Sequence, residues 1–504
     1  MRASSVVLAI LLLGCGSIGT ICCDDTCEAT ASCTTTTTTD ESTGGPSCPA
    51  DPTEGDVDAT CGIWVSATLG DDAAEGTQAA PVRTLQRAVD LAAAGPGRVY
   101  ACAQTYDLPV TVPAGVSLHG GWSCLGGTWT PTTERAAIVP DHDTIPLRLV
   151  AGSEGAESLI TDLVARAADA SGDGASSIAA LADVGAVAEL RRVELRAGDG
   201  ADGADGAAGG PVPATGGTPG FAGDGACTAT VGLGGEAPVT ECDDGPSAGG
   251  EGGDGSDLFA QGGGEGAPDL GSGAGGVGED VAPACSPGID GSNGMTGQDG
   301  TGAAAGGALD ASGYVVASGT GGTAGSRAQG GGGGGASRGT SGCGAAPHGG
   351  AGGGSGGAGG CGGKPGGGGQ GGGASFALVS RSGDIRLSSA RLLAGAGGRG
   401  GNGGAGQVGG LGGLPGLGGP YYPGQPQVHS GCSGGFGGKG GSGGNGGSGA
   451  GGPSAAIAHA FGSAPAQQQV ELVPGAAGKG GVGGNPGEPA LAGAVGKSGP
   501  ILGL

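Results

Sequence analysis

The chain of 504 residues is poor in the side chains that build a compact core. Aromatic residues make up 3% and there are two methionines. Leu, Ile, Val and Phe together fall below the roughly one-fifth that an ordinary folded domain carries. One hydrophobic core of this length is therefore excluded, because too little apolar area is present to offset backbone ordering. Cations are also scarce: 20 Lys plus Arg stand against 46 Asp plus Glu, for a net charge of −26. That balance excludes nucleic acid as a partner, since phosphate contacts need clustered cations. Long apolar runs are missing too. Val6 to Leu13 is the longest near the start, and it is too short to cross a bilayer as a helix.

What the chain has instead is glycine, 133 residues of it, and 15 cysteines. The glycine leaves two options, an extended repetitive fold or disorder. A repetitive fold replaces core volume with hydrogen bonds between successive turns of chain. The cysteine count points to an oxidising compartment.

Residues 1–14 read as an export signal, with Arg2 ahead of the apolar run. The run ends in Leu12-Leu13-Gly14-Cys15, which resembles the bacterial lipobox. The resemblance implies lipidation of Cys15 and a membrane attachment through that anchor. Gly16 follows where an aspartate would resemble an inner-membrane retention signal, which favours the outer membrane or cell surface. Residues 15–61 form a Thr/Cys-rich tether with Thr34 to Thr39 and scattered prolines. Cys22, Cys23, Cys27, Cys33, Cys48 and Cys61 lie in it, and their loose spacing suits disulfides better than a zinc site.

Residues 62–199 carry ordinary patterning. Ile63 to Ser66 alternates as a strand, and Pro81 to Ala94 has apolar residues on one helical face. Arg98 to Ala101, Pro109 to Val112 and Gly115 to Leu118 follow as short strands, then a Gly120-Gly121-Trp122 turn. Leu147 to Val150, Leu159 to Ala165, Ser176 to Ala182 and Val187 to Ala197 continue them. The motifs Trp64-Val65-Ser66, Gly70-Asp71-Asp72, Thr84-Leu85-Gln86, Val99-Tyr100, Thr105-Tyr106 and Gly115-Val116-Ser117-Leu118 with Gly120-Gly121 resemble the opening of pectin-lyase-like right-handed parallel β-helix proteins. The expected class is all-β: a right-handed parallel β-helix with an N-terminal capping helix. The resemblance speaks for fold and is nearly silent on activity.

A repeat supports this reading. Ser177 to Gly198, Ser375 to Gly395 and Ser454 to Gly475 share a serine entry, a short strand, a polar turn, a second strand and a glycine-rich exit. Residues 372–395 and 452–474 then read as further rungs. The glycine-rich blocks 200–371 and 396–451 become insertions, and 475–504 a glycine-rich C-terminal segment. Within the blocks a Gly-Gly-X beat runs through Gly397, Gly400, Gly403 and Gly406 and again from Gly431 to Gly452. That beat suits laterally paired strands of polyglycine-II type, with three residues per turn. A disordered linker is the alternative. The blocks are also similar to the PGRS repeats of some bacterial surface proteins, although no PE-type domain precedes them.

Chemistry is thin. Asp141-His142-Asp143 is the one carboxylate–histidine cluster ahead of the insertions, and it lacks a second acid pair nearby. Asp199, Asp202 and Asp205 recur every third residue and are weak calcium candidates, without the aliphatic position of the calcium-binding β-roll. Cys102 and Cys124 are about one rung apart and suit a disulfide between turns. No cofactor is called for. Two functions remain. One is a non-enzymatic surface lipoprotein with a structural, adhesive or carbohydrate-contacting role, meeting a cell-surface glycan or protein. The other is a β-helix polysaccharide lyase or hydrolase. Ice or mineral binding by flat glycine faces is a weaker third.

Overall fold

The structure is a computed structural model that describes residues 48–504, apart from 311–312, 345–346, 382, 425–426 and 461. Cys15 and the tether cysteines Cys22, Cys23, Cys27 and Cys33 lie outside the described residues. The protein is all-β, with one α-helix, Leu85–Ala93, among the described residues.

Three sheets organise the chain. The first contains Ile63–Val65, Arg98–Cys102, Ser117–Ser123, Ser158–Thr161, Val187–Arg191, Asp384–Ser388 and Ala466–Gln468. The second contains Thr105–Tyr106, Ala136–Ile138, Leu163–Arg166, Glu194–Arg196, Arg391–Leu393 and Glu471–Val473. The third contains Val110–Pro113, Leu147–Val150, Ser177–Ala182, Ser375–Ser380, Ser454–His459 and Ser498–Gly503. From Arg98 onward the chain visits first, second and third sheet in unbroken rotation. Neighbouring strands pair in parallel, so each visit adds one layer to all three sheets. Within these three sheets the short strand Thr130–Pro131 is the antiparallel exception, on Ser117–Ser123; three small two-stranded antiparallel sheets lie apart from them in the 200–371 block.

Alternation within the strands sets what points inward. Val65, Val99, Leu118, Ile160, Leu190 and Leu387 of the first sheet meet Leu163, Leu195 and Leu392 of the second and Leu147, Ala180, Leu378 and Ile457 of the third. The helix closes one end of this core through Leu85, Ala88, Val89 and Ala92. Thr84 caps it by accepting the Arg87 N–H, and the Asp72 carboxylate holds the N–H groups of Arg83 and Thr84.

Two elements differ from the expectation. Gly120-Gly121-Trp122 does not form a turn; it lies inside the strand Ser117–Ser123, where Gly121 has a φ of 77° and the register slips against Arg98–Cys102. Leu159 to Ala165 and Val187 to Ala197 each split into two strands at a sharp corner. Asp162, Arg192, Ser389 and Gln469 occupy that corner in four successive layers, with φ between 50° and 55°. A left-handed non-glycine residue costs roughly 1–2 kcal/mol. The ion pair between Asp162 and Arg192 at 2.7 Å helps to hold it.

Every long glycine block leaves after a second-sheet strand and returns to the third sheet. The entry serine fastens that junction. The Ser177 hydroxyl donates to the Ala168 carbonyl and accepts the Gly198 N–H. Ser375 donates to Gly198, Ser454 to Gly395 and Ser498 to Gly475 in the layers that follow.

The glycine blocks are hydrogen-bonded to one another side by side. Along one segment, the N–H groups of Gly398, Gly401 and Gly404 donate to the carbonyls of Gly373, Gln370 and Gly367. The preceding residues, Gly397, Gly400 and Gly403, donate in another direction, to Ala476, Lys479 and Val482. The carbonyls of Ala396, Arg399 and Asn402 accept from Gly200, Gly203 and Gly206 in a third. The bonding direction recurs every third residue, so one strand serves several neighbours. Residues 351–361 run through the middle of this bundle and are buried throughout. Close approach is what demands glycine there. A Cβ on Gly356 would fall 1.9 Å from the Gly331 carbonyl oxygen. Disulfides Cys227–Cys343, Cys242–Cys361 and Cys285–Cys432 cross-link the bundle over 116, 119 and 147 residues. Cys102–Cys124 and Cys48–Cys61 lie at the other end.

Residues 48–61, assigned to the tether on composition, pack on the outer face of the first sheet. They cover Trp64, Tyr100 and Trp122, and the Trp64 indole donates to the Ala59 carbonyl. Asp51 is 1% exposed and accepts from both Arg191 and Arg192. Burial by itself raises its carboxyl, but hydrogen bonds from Arg192 and Thr53 outweigh that and hold it well below the usual carboxylate range. Beside this cluster His119 stacks on Tyr100, and burial pushes it down to about 3.

Both groups have folded-state values below their unfolded ones. Each therefore contributes stability that is complete above its unfolded pKa and is lost on acidification. For His119 the loss starts near ~6.5, and for Asp51 near ~3.9. Thermal melts should fall as pH drops from ~6.5 toward 4, and His119→Gln should flatten that limb while leaving the steeper Asp51 limb below it. In the bundle, Gly356→Ala should cost about 3 kcal/mol or more through overpacking. Gly216→Ala, whose Cβ meets its nearest atom at 3.4 Å, should be close to neutral in the same denaturation assay.

Candidate functional site

The most site-like feature is an open groove of about 650 Å³ along the second sheet, at the corner where the glycine blocks depart. It is built by register. Arg166 pairs with Arg196, Arg196 with Leu393, and Leu393 with Val473. Each ends its strand, after the inward Ala165, Leu195, Leu392 and Leu472. Two arginines thus occupy the same register position on adjacent strands, which lie about 4.8 Å apart, followed by two apolar side chains. Both arginines are exposed, and among the described residues neither forms an ion pair. Other arginines of the stack are matched with acids: Arg148 and Arg381 share Asp183, Arg191 and Arg192 share Asp51, and Arg386 meets Glu157. The same groove is lined by the carboxylates of Asp169 and Asp199, so it carries both signs of charge, and the two arginines without an ion pair are the groups in it that can fork onto a carboxylate or sulfate.

The Asp141-His142-Asp143 cluster turns out to border this groove, but its members diverge. His142 lines it, and its Nδ1 sits 3.2 Å from the Asp169 carbonyl oxygen. A carbonyl oxygen only accepts, so Nδ1 is the donor in that contact. Asp143, at φ 56°, faces the other way and takes the Ser171 hydroxyl and N–H. Those bonds hold its carboxyl below the usual range, so it stays ionised and engaged. Asp141 is exposed. The three do not converge on one point.

The calcium candidates have other partners. Asp199, Asp202 and Asp205 accept the backbone N–H groups of Ala396, Arg399 and Asn402 on the neighbouring strand, at 2.6, 2.6 and 2.7 Å. Their three-residue recurrence matches the pitch of that strand. The device is used twice: Asp290, Asn293 and Asp299 accept from Phe436, Lys439 and Asn445. In each set the acid or amide side chain caps the X-residue amide that no backbone carbonyl reaches. Among the described residues no cluster of three or more His, Cys, Asp or Glu is placed to hold a metal ion.

Sequence reasoning missed Arg166 and Arg196. They are 30 residues apart, and only the parallel register makes them neighbours. It also missed Asp51 as the partner of Arg191 and Arg192, across 140 and 141 residues. No family model, curated protein or solved structure matches the chain.

Because the Asp ladder bonds backbone amides, Asp202→Ala should lower stability by about 1 kcal/mol. Adding calcium or a chelator should leave the melting temperature of the unaltered chain unchanged; a calcium-dependent rise lost in Asp202→Ala would return these residues to metal binding.

Proposed function

We propose that this chain is an extracytoplasmic surface lipoprotein, anchored through Cys15, with a structural and adhesive role that includes contact with acidic carbohydrate. In this reading the three-sheet rotation is a right-handed parallel β-helix of the pectin-lyase-like kind, capped by Leu85–Ala93. The glycine blocks are a polyglycine-II-like bundle displayed from one corner of it, in the manner of PGRS-like insertions. The observation that carries the reading is that every long glycine block leaves from the same corner and is hydrogen-bonded laterally to the others. A fold of this kind spends most of its length on a rigid, hydrated, disulfide-linked outer structure and little on a reaction centre. Disulfides fit the compartment. The groove with Arg166 and Arg196 supports carbohydrate contact by chemistry: planar cations for carboxylates, with Leu393 and Val473 beside them for the apolar face of a sugar ring.

The competing reading is a β-helix polysaccharide lyase or hydrolase, favoured by His142 at the edge of the same groove. The two separate cleanly. On a glycan array the chain should bind acidic polysaccharides in a salt-sensitive way, and Arg166→Ala with Arg196→Ala should weaken binding about tenfold or more. No turnover of pectin, alginate or peptidoglycan fragments is expected; turnover abolished by His142→Ala would establish the enzyme instead. Metabolic labelling with a fatty-acid analogue should mark the chain, and Cys15→Ser should remove the label.

A further inference from the structure

One surface of the bundle lies outside this account. Val408, Leu411, Leu414 and Leu417 occupy successive X positions of one glycine strand, with exposures of 49, 70, 62 and 69%. Three residues at about 3.1 Å rise put neighbours roughly 9 Å apart on one line. The four make a straight apolar ridge.

The ridge and the strand on one side of it are free of charge and the other exposed neighbour has no acid. Residues 400–438 contain no Asp, Glu, Lys or Arg, and neither do residues 206–223 of the strand alongside; the strand that bonds Gly410 and Gly413 through Gly440 and Gly437 carries the single cation Lys439. This is a chain with a net charge of −26. The change is abrupt and follows the hydrogen-bond pattern. Nearer the sheets, Asp199, Asp202 and Asp205 immediately precede Gly200, Gly203 and Gly206, which donate to Ala396, Arg399 and Asn402. Along the ridge, Gly217, Gly220 and Gly223 donate in the same way to Leu411, Leu414 and Leu417. The residues preceding them are Gly216, Pro219 and Ala222. The acidic caps stop where the leucines begin.

We propose that this ridge is a self-association face, on which two copies of the chain pack Val408 to Leu417 against each other about a two-fold axis. Three physical points select a second copy. Equal spacing makes the ridge complementary to itself: offset by half a repeat, facing side chains fall about 4.7 Å apart, a packing distance for aliphatic groups. A two-fold contact uses the same patch on both partners, so a single charge-free surface suffices. Two chains of this net charge repel wherever acids meet, and the ridge is a face where none would.

The test is sedimentation velocity on the full chain carrying Cys15→Ala, so that no acyl group confounds association, from low micromolar to the highest soluble concentration. A monomer–dimer equilibrium is expected. Leu411→Asp with Leu414→Asp should weaken it at least tenfold, with unchanged circular dichroism and melting temperature. Leu411→Ser with Leu414→Ser should act in the same direction and serves if the acidic pair misfolds. A monomer at every concentration would overturn the proposal, as would a dimer that either double substitution leaves intact. Co-flotation of the anchorless chain with neutral phosphatidylcholine vesicles, lost on Leu411→Asp with Leu414→Asp, would also overturn it, assigning the ridge to lipid.

Discussion

Backbone hydrogen bonds between neighbouring strands, repeated at fixed intervals, carry this structure where apolar volume cannot. In the sheets the bonds run between layers related by one turn of chain, and a slender core of Leu, Ile, Val and Ala fills the space between them. In the glycine blocks there is almost no side-chain core. The amides take over, each strand donating in more than one direction because three residues complete a turn. Ordering glycine has a high entropic cost. Dense lateral bonding and the three long-range disulfides offset it, the latter by restricting the unfolded chain.

That constraint explains where side chains with chemistry are placed. Many interior positions of the bundle admit no Cβ, as at Gly356, and those that do hold mostly small side chains such as Ala351, Ser355 and Ala358, so exposed functional groups fall at X positions on its surface and on the outer faces of the sheets. The acids follow the same rule. Asp199, Asp202 and Asp205 are spaced for the amides of the next strand, and Asp51 is set against Arg191 and Arg192. The first set reads in the sequence as a weak calcium candidate and Asp51 as one of the scattered acids of the tether, and both are engaged in holding chain segments together. Arg166 and Arg196 stand apart: they share their groove with Asp169 and Asp199 but form no ion pair among the described residues.

Much of the architecture was legible in advance. The entry serines Ser177, Ser375 and Ser454, the paired short strands after them and the glycine exits recur at matching spacings, and each turned out to be one layer of the same stack. The helix was visible from one-sided burial at Leu85, Ala88, Val89 and Ala92. The corners were not. Asp162, Arg192, Ser389 and Gln469 share a left-handed backbone and no residue type, so nothing in their chemistry announces a turn. The groove was half legible: His142 drew notice through its acidic neighbours, while Arg166 and Arg196 carry no mark in the sequence that sets them apart.

What the sequence determined by itself is local: strand alternation, the helix face, and a three-residue glycine beat that suits laterally paired strands without excluding a disordered linker. These follow from sterics within a few residues. Tertiary structure alone decided which glycine strand lies beside which, which cysteines meet across more than a hundred residues, and which outward side chains share a layer. Glycine strands bond mostly through groups that every residue carries, so apart from the Asp ladders and the cysteines their sequences hold little that labels a partner. The pairing is set by where each block leaves the sheets and by the register of the layers beneath it.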